Sequence, residues 1–227
     1  MAKEKNYNRR TEKDYGFWRT MFYQTFVMFI VHTVSNLFYN IKVEGKENVP
    51  KTTRLIFAAN HVSYLDPPMI SYATGRSIAY MAKQELFKDK DKLLRWLVHT
   101  LGAFAVNREK PEIATFKTVK SIFNTKWSLG IFPQGKIVDE PKIESLHKGF
   151  TMFAKKFNAD VVPVAVCGFT GYAHKLFEKH MTIKIGKPIS YELDENEIVR
   201  EWARQIAEMT GFENAIEKKL PKLLNIS

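Results

Sequence analysis

The distribution of apolar and polar positions sets the first part of the chain apart from the rest. Between Thr20 and Ile41 the sequence contains no Asp, Glu, Lys or Arg and is dense in aromatic residues. The run is long enough to span a bilayer, but polar side chains recur through it and lower its hydrophobicity below that of a typical spanning helix. These polar residues are Gln24, Thr25, His32, Thr33, Ser35, Asn36 and Asn40. The pattern predicts an interfacial helix, with an amphipathic helix packed on the protein's own core as the alternative.

The rest of the chain alternates short apolar runs with longer helical patterns, which is typical of an α/β domain with a mostly parallel sheet. The predicted strands are Lys42–Glu44, Leu55–Ala59, Ile78–Met81, Leu129–Phe132, Val161–Val166 and Met181–Ile185. The predicted helices are Pro67–Tyr72, Leu86–Leu101, Pro111–Lys126, Ser145–Phe157 and a last helix with Asp194 as its N-cap. We therefore predict an α/β fold in which helices flank a mostly parallel central sheet, preceded by an N-terminal membrane-associating helical segment.

Length and composition bound the organisation of the chain. A sequence of 227 residues that is 45% hydrophobic can bury one substantial core, so we predict an N-terminal segment at 1–41 and one domain at 42–227. The single cysteine, Cys167, excludes an internal disulfide. Neither a Cys/His cluster for zinc nor a Gly-rich phosphate loop occurs, so we predict no metal and no cofactor. The charged start lacks a secretory signal, which predicts that the chain stays in the cytoplasm.

The charge of the chain indicates an anionic partner without identifying it. A formal net charge of +11 suits nucleic acid, anionic lipid head groups or an acidic thioester carrier, and solvated surface lysines are the plainest explanation. Basic residues gather just ahead of the interfacial run: Arg9, Arg10, Lys13 and Arg19. With Tyr15, Phe17 and Trp18 among them, they suit the head-group layer, where each nearby basic residue contributes on the order of 1 kcal/mol. We therefore predict association with the cytoplasmic face of an anionic membrane.

Candidate chemistry begins where the predicted strand Leu55–Ala59 ends. His61 follows that strand at the rim of the sheet, and Asp66 stands five positions later, where Pro67 opens a helix. A carboxylate that folds back onto one ring nitrogen fixes the tautomer and stabilises the imidazolium, so the other nitrogen can deprotonate a hydroxyl. Taken singly, each residue has a plainer interpretation, with His61 hydrogen-bonded at a loop edge and Asp66 acting as a helix N-cap.

Four sequence blocks, in order, carry a resemblance to a known family. NHVSYLD holds Asn60, His61 and Asp66 in the spacing NHxxxxD, GAFAVNR holds Gly102, Phe104, Asn107 and Arg108, FPQG spans 132–135, and VPV spans 162–164. With these blocks the chain resembles the glycerophospholipid acyltransferase family, whose best-known members are the 1-acylglycerol-3-phosphate acyltransferases. The resemblance covers roughly Ile41 to Ser190. NHxxxxD alone is a weak signal, whereas four ordered blocks are specific.

The resemblance implies an O-acyltransferase in which His61 is the general base, Asp66 orients it, and 42–227 is the acyltransferase domain. The acyl donor would be acyl-CoA or acyl carrier protein, and the acceptor a lysophospholipid, best matched by 1-acylglycerol 3-phosphate, which gives phosphatidic acid. Acylation of glycerol 3-phosphate or of another lysolipid stays open. Outside the enzyme class, a basic non-enzymatic module for membrane or nucleic acid is the rival. It leaves the four blocks unexplained, so we predict no nucleic-acid partner.

The same resemblance associates the second and third blocks with the phosphate of the acceptor. Arg108 suits that role because a guanidinium offers a fixed fork of donors to phosphate oxygens. Asn107 and Gln134 replace acidic residues of the family pattern, which makes the site more positive and predicts a preference for phosphate monoesters. Another anionic acceptor, a different lysophospholipid head group and a tolerated variant are the alternatives. The predicted substrate-binding residues are Lys83, Asn107, Arg108, Gln134, Gly135 and Lys136. For Lys83 and Lys136, an ordinary solvated surface position remains the alternative.

Overall fold

The computed structural model describes residues 9–38, 40–52, 54–88, 95, 98–106, 112–138, 140–168 and 180–216. Within those residues the chain forms a seven-stranded sheet and a separate two-stranded sheet. The strands of the large sheet are β1 Asn40–Glu44, β2 Leu55–Ala59, β3 Ile78–Lys83, β4 Phe104–Val106, β5 Ser128–Ile131, β7 Asp160–Cys167 and β8 His180–Ile185. The small sheet pairs β6 Lys142–Ile143 with β9 Glu213–Asn214.

The large sheet has the strand order β1-β8-β7-β2-β5-β3-β4. Its neighbouring strands run parallel at every pairing except β7 with β8, which is antiparallel. The mostly parallel sheet that the sequence predicted is therefore confirmed. Strand β2 lies inside the sheet, between β7 and β5, and all five of its residues are buried. Parallel strands covered on both faces need apolar residues at every position, which the sequence LIFAA supplies.

Helices cover both faces of this sheet. The described helices are α1 Phe17–Phe22, α2 Met28–Phe38, α3 Asp66–Thr74, α4 Glu85–Lys88, α5 Ile113–Phe123, α6 Gly149–Phe157 and α7 Glu195–Thr210. One core joins the sheet to α5, α6 and α7 through residues such as Ile122, Phe150 and Trp202. A second core, on the opposite face, joins it to α3 through Met69 and Ile70. Helices α3, α5, α6 and α7 each bury apolar residues against the sheet, as expected of an α/β domain.

Several element boundaries follow the sequence closely. Strand β2 has the predicted bounds, and Asp194 caps α7 by accepting hydrogen bonds from the amides of Asn196 and Glu197. Helix α6 begins at Gly149, later than the predicted Ser145. The backbone amide of His147 donates instead to the carbonyl of Pro133 at 2.8 Å, which ties the preceding residues to the FPQG turn. The predicted helix Leu86–Leu101 falls partly outside the described residues.

The N-terminal segment is packed into the core along part of its length. Tyr15 and Tyr23 are buried and contact the ring of Trp127, with centroid distances of 5.2 and 4.9 Å. The indole nitrogen of Trp127 donates to Thr20 Oγ1 at 2.8 Å. A π-helical turn at Tyr23–Val27 joins α1 to α2. The alternative of a helix packed on the protein's own core therefore holds for one face of this segment.

The other face of the segment is apolar and open to solvent. Phe17, Trp18, Phe29 and Leu37 are 65–75% exposed, although they are large hydrophobic side chains. Within the described part of the chain, no helix combines the length and the apolar character needed to cross a membrane. The segment therefore presents two apolar faces, one against the core and one outward.

Two of the basic residues in this segment are turned inward. Arg10 is only 4% exposed, and its guanidinium donates to the carbonyls of His99 and Ala103. Arg19 donates to the carbonyls of His99 and Thr100. The expectation that Arg10 belongs to the head-group layer is therefore wrong, because its Nη2 donates to the carbonyls of His99 and Ala103 inside the protein. A charged side chain this deeply buried needs such partners.

Candidate active site

Asn60 fixes the point at which the chain leaves the sheet. Its side chain is buried, its Nδ2 donates to the carbonyl of Val166 at 3.0 Å, and its Oδ1 accepts from the amide of Val166 at 2.8 Å. This two-way pairing extends the contact between β2 and β7 by one residue beyond the end of β2. His61 is thereby placed at the carboxyl edge of the parallel strands, where functional groups of open α/β sheets collect.

His61 and Asp66 form a hydrogen-bonded pair. His61 Nδ1 lies 2.8 Å from Asp66 Oδ2, with the imidazole side chain 16% exposed and the carboxylate fully buried. The amides of Val62 and Ser63 donate to the same oxygen at 2.7 and 2.9 Å. Because an ionised carboxylate only accepts hydrogen bonds, Nδ1 carries the proton and Nε2 is left with a lone pair. The pair can therefore accept a proton at Nε2.

Asp66 is the first residue of α3, and Leu65 occupies the N-cap position. The carboxylate turns back to the loop that precedes the helix, so the N-cap interpretation of Asp66 is wrong. A negative charge at this position is nevertheless favoured by the partial positive charge of the helix N-terminus. The loop amides, the helix and the imidazole together hold a buried carboxylate that would be costly to leave unpaired.

Phe132, the first residue of FPQG, covers one face of the imidazole. The rings of His61 and Phe132 are stacked, with centroids 3.9 Å apart and planes 16° apart. Phe132 also stacks on Tyr80, at 5.6 Å and 15°. The three rings follow the order of the strands that carry them, since β5 lies between β2 and β3. The amide of Val138 donates to the carbonyl of His61 at 2.8 Å, so the same segment also holds the histidine backbone.

The remainder of FPQG forms a tight turn. Gly135 has φ +71°, a left-handed conformation that favours glycine, and its amide donates to the carbonyl of Phe132 at 2.9 Å. Gln134 is buried, and its Nε2 donates to the carbonyl of Lys142 at 3.2 Å. Its Oε1 is buried without a partner among the described residues. Gln134 therefore braces the turn against β6.

The other predicted substrate-binding residues are less constrained. Lys83 ends β3, Lys136 follows the turn, and both are exposed. Asn107 and Arg108 lie outside the described residues. The structure thus brings together His61, Asp66 and the turn at 132–135, and leaves the two lysines at the surface around them.

Two cavities adjoin the turn. An apolar cavity of about 90 Å³ is lined by Met81, Val106, Phe132, Phe150 and Phe153, among others. A polar cavity of about 270 Å³ is lined by Gln134, Lys136, Lys142 and Ser145 with Glu140 and Glu144. Lys142 pairs with Glu144 at 2.5 Å, so the polar cavity holds both signs of charge. Phe132 thus lines the apolar cavity, and Gln134, two residues later in the turn, lines the polar cavity.

Cys167 lacks the surroundings of a reactive thiol. Burial raises the pKa of the Cys167 thiol, which donates to the carbonyl of Met209 at 3.4 Å. Burial therefore disfavours the thiolate that a nucleophile needs. Across the residues the structure describes, His, Cys, Asp and Glu side chains nowhere gather in threes that could hold a metal ion.

Comparison with known proteins decides the family. A family model described as Acyltransferase matches residues 40–167, a range that contains His61, Asp66 and the FPQG turn. The chain belongs to the acyltransferase family. The family assignment confirms the prediction of an O-acyltransferase made from the four sequence blocks.

Individual relatives agree with this assignment. The chain is 32% identical over 156 residues to a 1-acyl-sn-glycerol-3-phosphate acyltransferase of Bacillus subtilis, a match covering 66% of this chain and 73% of the relative. It is 27% identical over 160 residues to a chloroplastic 1-acyl-sn-glycerol-3-phosphate acyltransferase of Arabidopsis thaliana, covering 67% and 44% of the two chains. The chain thus spans less than half of the plant relative.

A solved structure shows the same fold. The crystal structure of the 1-acyl-sn-glycerophosphate acyltransferase PlsC of Thermotoga maritima superposes with a TM-score of 0.59 at 20% sequence identity. The match covers 87% of this chain and 85% of that chain. At this identity the likeness concerns the fold alone.

Sequence reasoning missed two of the aromatic residues beside the pair. The sequence shows Phe132 only as part of a block and as the end of a predicted strand, and Tyr80 only as part of a predicted strand. The local sequence around Phe132 and Tyr80 does not indicate a role for either ring, because their contacts depend on which strands become neighbours in the sheet. The position of Phe132 at the end of a predicted strand was the one available signal, since strand ends gather at one edge of a parallel sheet.

Proposed function

We propose that this acyltransferase moves a fatty acyl group from a thioester to the free hydroxyl of 1-acylglycerol 3-phosphate, giving phosphatidic acid. The observation that carries the proposal is the His61–Asp66 pair, with Nδ1 held by a buried carboxylate and Nε2 left as a base. The curated relatives bear the name of this activity, which supports the choice of acceptor.

In the proposed mechanism, His61 Nε2 takes the proton of the acceptor hydroxyl as its oxygen attacks the thioester carbonyl. The tetrahedral intermediate collapses, the carbon–sulfur bond breaks, and the thiolate takes the proton from the imidazolium. Asp66 stabilises the imidazolium in between and keeps Nε2 aimed at the hydroxyl. No side chain of the protein needs to be acylated.

Phe132 supports this chemistry in two ways. It excludes water from one face of the imidazole, which strengthens the electrostatic interaction between His61 and Asp66. It also lines the apolar cavity, which is suited to the methylenes nearest the thioester. The acyl donor is acyl-CoA or acyl carrier protein.

The acceptor phosphate is proposed to lie against the cations around the turn at 132–135. Lys136 lines the polar cavity beside Gln134, and Lys83 is exposed at the end of β3, next to β5. Arg108 and Asn107 are proposed as further phosphate contacts. With Gly135, whose missing side chain lets a ligand approach the backbone, these residues form the proposed acceptor site.

We further propose that the exposed apolar face of α1 and α2 lies on an anionic membrane. Large side chains such as Trp18 and Phe29 are rarely left this exposed in a cluster unless they meet a partner or a lipid surface. The acceptor is itself a membrane lipid, so docking would bring the site to its substrate.

The proposed function is tested by an acyl-transfer assay with purified protein. The acceptors are 1-acylglycerol 3-phosphate, glycerol 3-phosphate and lysophosphatidylcholine, each offered with acyl-CoA and with acyl carrier protein thioester. The proposal expects the highest kcat/KM for 1-acylglycerol 3-phosphate with at least one donor. A higher value for glycerol 3-phosphate or lysophosphatidylcholine overturns the choice of acceptor, and no transfer to any of them overturns the proposal.

A further inference from the structure

The two oxygens of the Asp66 carboxylate are in very different situations. Oδ2 accepts three hydrogen bonds, from His61 Nδ1 and from the amides of Val62 and Ser63. Oδ1 is equally buried, yet it has no hydrogen-bond partner among the described residues. A buried carboxylate oxygen without a donor is unfavourable, and native structures rarely leave one. A hydrogen-bond donor to Asp66 Oδ1 is therefore expected near the His61–Asp66 pair.

An unused donor lies on the same side of the sheet. The hydroxyl of Tyr80 is buried, and it donates to no acceptor within hydrogen-bond geometry in the described part of the chain. The Tyr80 side chain belongs to the same core as Met69 and Ile70, which are residues of the helix that Asp66 begins. Through Phe132, the Tyr80 ring also continues the stack that starts at His61.

The ring of Tyr80 is held in place by the neighbouring strand. Tyr80 lies opposite Gly130 in the pairing of β3 with β5. A Cβ added to Gly130 would stand 2.5 Å from both Cδ1 and Cε1 of Tyr80, so the ring fills the space that a side chain would take. Phe132 packs against the same ring. The packing of the ring therefore fixes the position of the Tyr80 hydroxyl.

The surroundings of the hydroxyl link it electrostatically to Asp66. Burial raises the pKa of Tyr80 well above its usual value, and the charges of Tyr23 and Asp66 add to the rise. The Ser71 side chain acts in the opposite direction, as a hydrogen-bond donor to the Tyr80 oxygen, while its own oxygen accepts from the Tyr23 hydroxyl at 2.8 Å. The phenol therefore stays protonated and is able to donate.

We propose that Tyr80 is a positioning residue, whose hydroxyl supplies the hydrogen bond that Asp66 Oδ1 lacks and so fixes the carboxylate plane that His61 faces. The two oxygens are not hydrogen-bonded in the structure, so a bridging water or a small rotation closes the contact. The inference rests on the proposed function, because it assigns Tyr80 a part in orienting the proposed general base. The added donor also takes up part of the carboxylate charge.

The variant Tyr80→Phe removes the hydroxyl and keeps the ring that Gly130 and Phe132 hold. We expect kcat to fall about tenfold, with the KM values of donor and acceptor unchanged, because one hydrogen bond to a charged group is lost. The thermal midpoint should fall as well, because the variant loses the proposed hydrogen bond to a buried carboxylate, so the pH–rate profile is the readout that separates positioning from a purely structural role. Without the Tyr80 hydroxyl, the Asp66 carboxylate keeps more of its negative charge and stabilises the protonated form of His61 more strongly. The acid limb of the pH–rate profile should therefore move to higher pH.

The matched control is Tyr23→Phe. Tyr23 Oη donates to Ser71, so its removal should lower the thermal midpoint while leaving the pH–rate profile in place. If Tyr80→Phe behaves like Tyr23→Phe, with a lower midpoint and an unmoved profile, Tyr80 is structural and the proposal is overturned. Unchanged kcat in Tyr80→Phe overturns it as well.

A readout independent of activity separates this proposal from the proposed function. The ring resonances of His61 are followed by NMR over pH in the wild-type protein and in Tyr80→Phe. The positioning role expects the titration midpoint to move to higher pH in the variant, whichever substrate the enzyme prefers. Coinciding titration curves contradict it. Failure of the wild-type protein to transfer acyl groups would instead overturn the proposed function and leave this comparison intact.

Discussion

The carboxylate of Asp66 faces the loop that carries His61, although Asp66 itself opens a helix. One oxygen accepts from the imidazole at 2.8 Å and from two loop amides at 2.7 and 2.9 Å. Asp66 Oδ2 alone therefore holds both the imidazole of His61 and the backbone of the loop that carries it. Its loss should affect the orientation of His61 more than the stability of α3.

Asp66→Asn is predicted to preserve the fold and to impair the rate. The amide oxygen of Asn can accept the same three hydrogen bonds, so we expect only a small change in thermal midpoint. The charge that stabilises the imidazolium is lost, and kcat should fall roughly 100- to 10,000-fold. Steady-state kinetics with thermal unfolding checks this. A kcat within tenfold of wild type would leave Asp66 with a structural role only.

Gln134→Glu is predicted to weaken both the turn and the binding of the acceptor. Gln134 Nε2 donates to the carbonyl of Lys142, and a carboxylate oxygen in that place would repel the carbonyl. We expect about 1–3 kcal/mol of lost stability, or a midpoint lower by roughly 2–10 °C. A new carboxylate near Lys136 should also compete with the acceptor phosphate and raise the acceptor KM about tenfold, with little change in thioester KM.

Gln134→Met separates these two effects, because it removes the hydrogen bond and adds no charge. It should lower the midpoint while changing the acceptor KM much less than Gln134→Glu does. Equal acceptor KM values in the two variants would show that charge at this position does not matter. A rise in activity with Glu would contradict the account of the acceptor site.

The exposed face of the N-terminal helices can be tested without disturbing the core. Trp18→Ser and Phe29→Ser should each weaken binding to anionic vesicles by about tenfold, because each removes a large apolar side chain from the proposed interface. The thermal midpoint should hold, since both side chains are exposed. Vesicle sedimentation measures the binding. Deleting the segment is a poorer test, because Tyr15 and Tyr23 would leave the core with it.

Ile113→Ser is the control for this experiment. Ile113 is 75% exposed at the start of α5, outside the N-terminal helices. Its replacement should leave vesicle binding unchanged. If Ile113→Ser and Trp18→Ser weaken vesicle binding equally, the effect reflects a general loss of surface hydrophobicity and not docking by α1 and α2.

Local patterns in the sequence predicted much of the fold. Strand β2 is a continuous apolar run and α7 has a capping residue followed by a helical period, so both were placed closely. The three-residue strand β4 was missed because so short a run shows no period. The inward direction of the Arg10 side chain was missed because its partners are carbonyls 89 and 93 residues away, which charge alone does not reveal.

The same distinction holds for the candidate site. His61 and Asp66 are five residues apart, and a helix starting at Asp66 suffices to bring them together. Phe132 and Tyr80 come from strands distant in sequence, and their stacking depends on β5 lying between β2 and β3. Strand order is set by the packing of the whole domain, so no local pattern contains it. Residues that act through such contacts become visible only in the structure.

The most direct test of the central claim is the kcat of His61→Ala on 1-acylglycerol 3-phosphate, with the acyl donor that the wild-type protein uses best. His61 lies at the edge of the sheet, so the variant should fold and keep its affinity for vesicles. The account predicts a kcat lower by roughly 100- to 10,000-fold, the usual cost of removing a general base. A folded His61→Ala protein with a kcat within tenfold of wild type would contradict it.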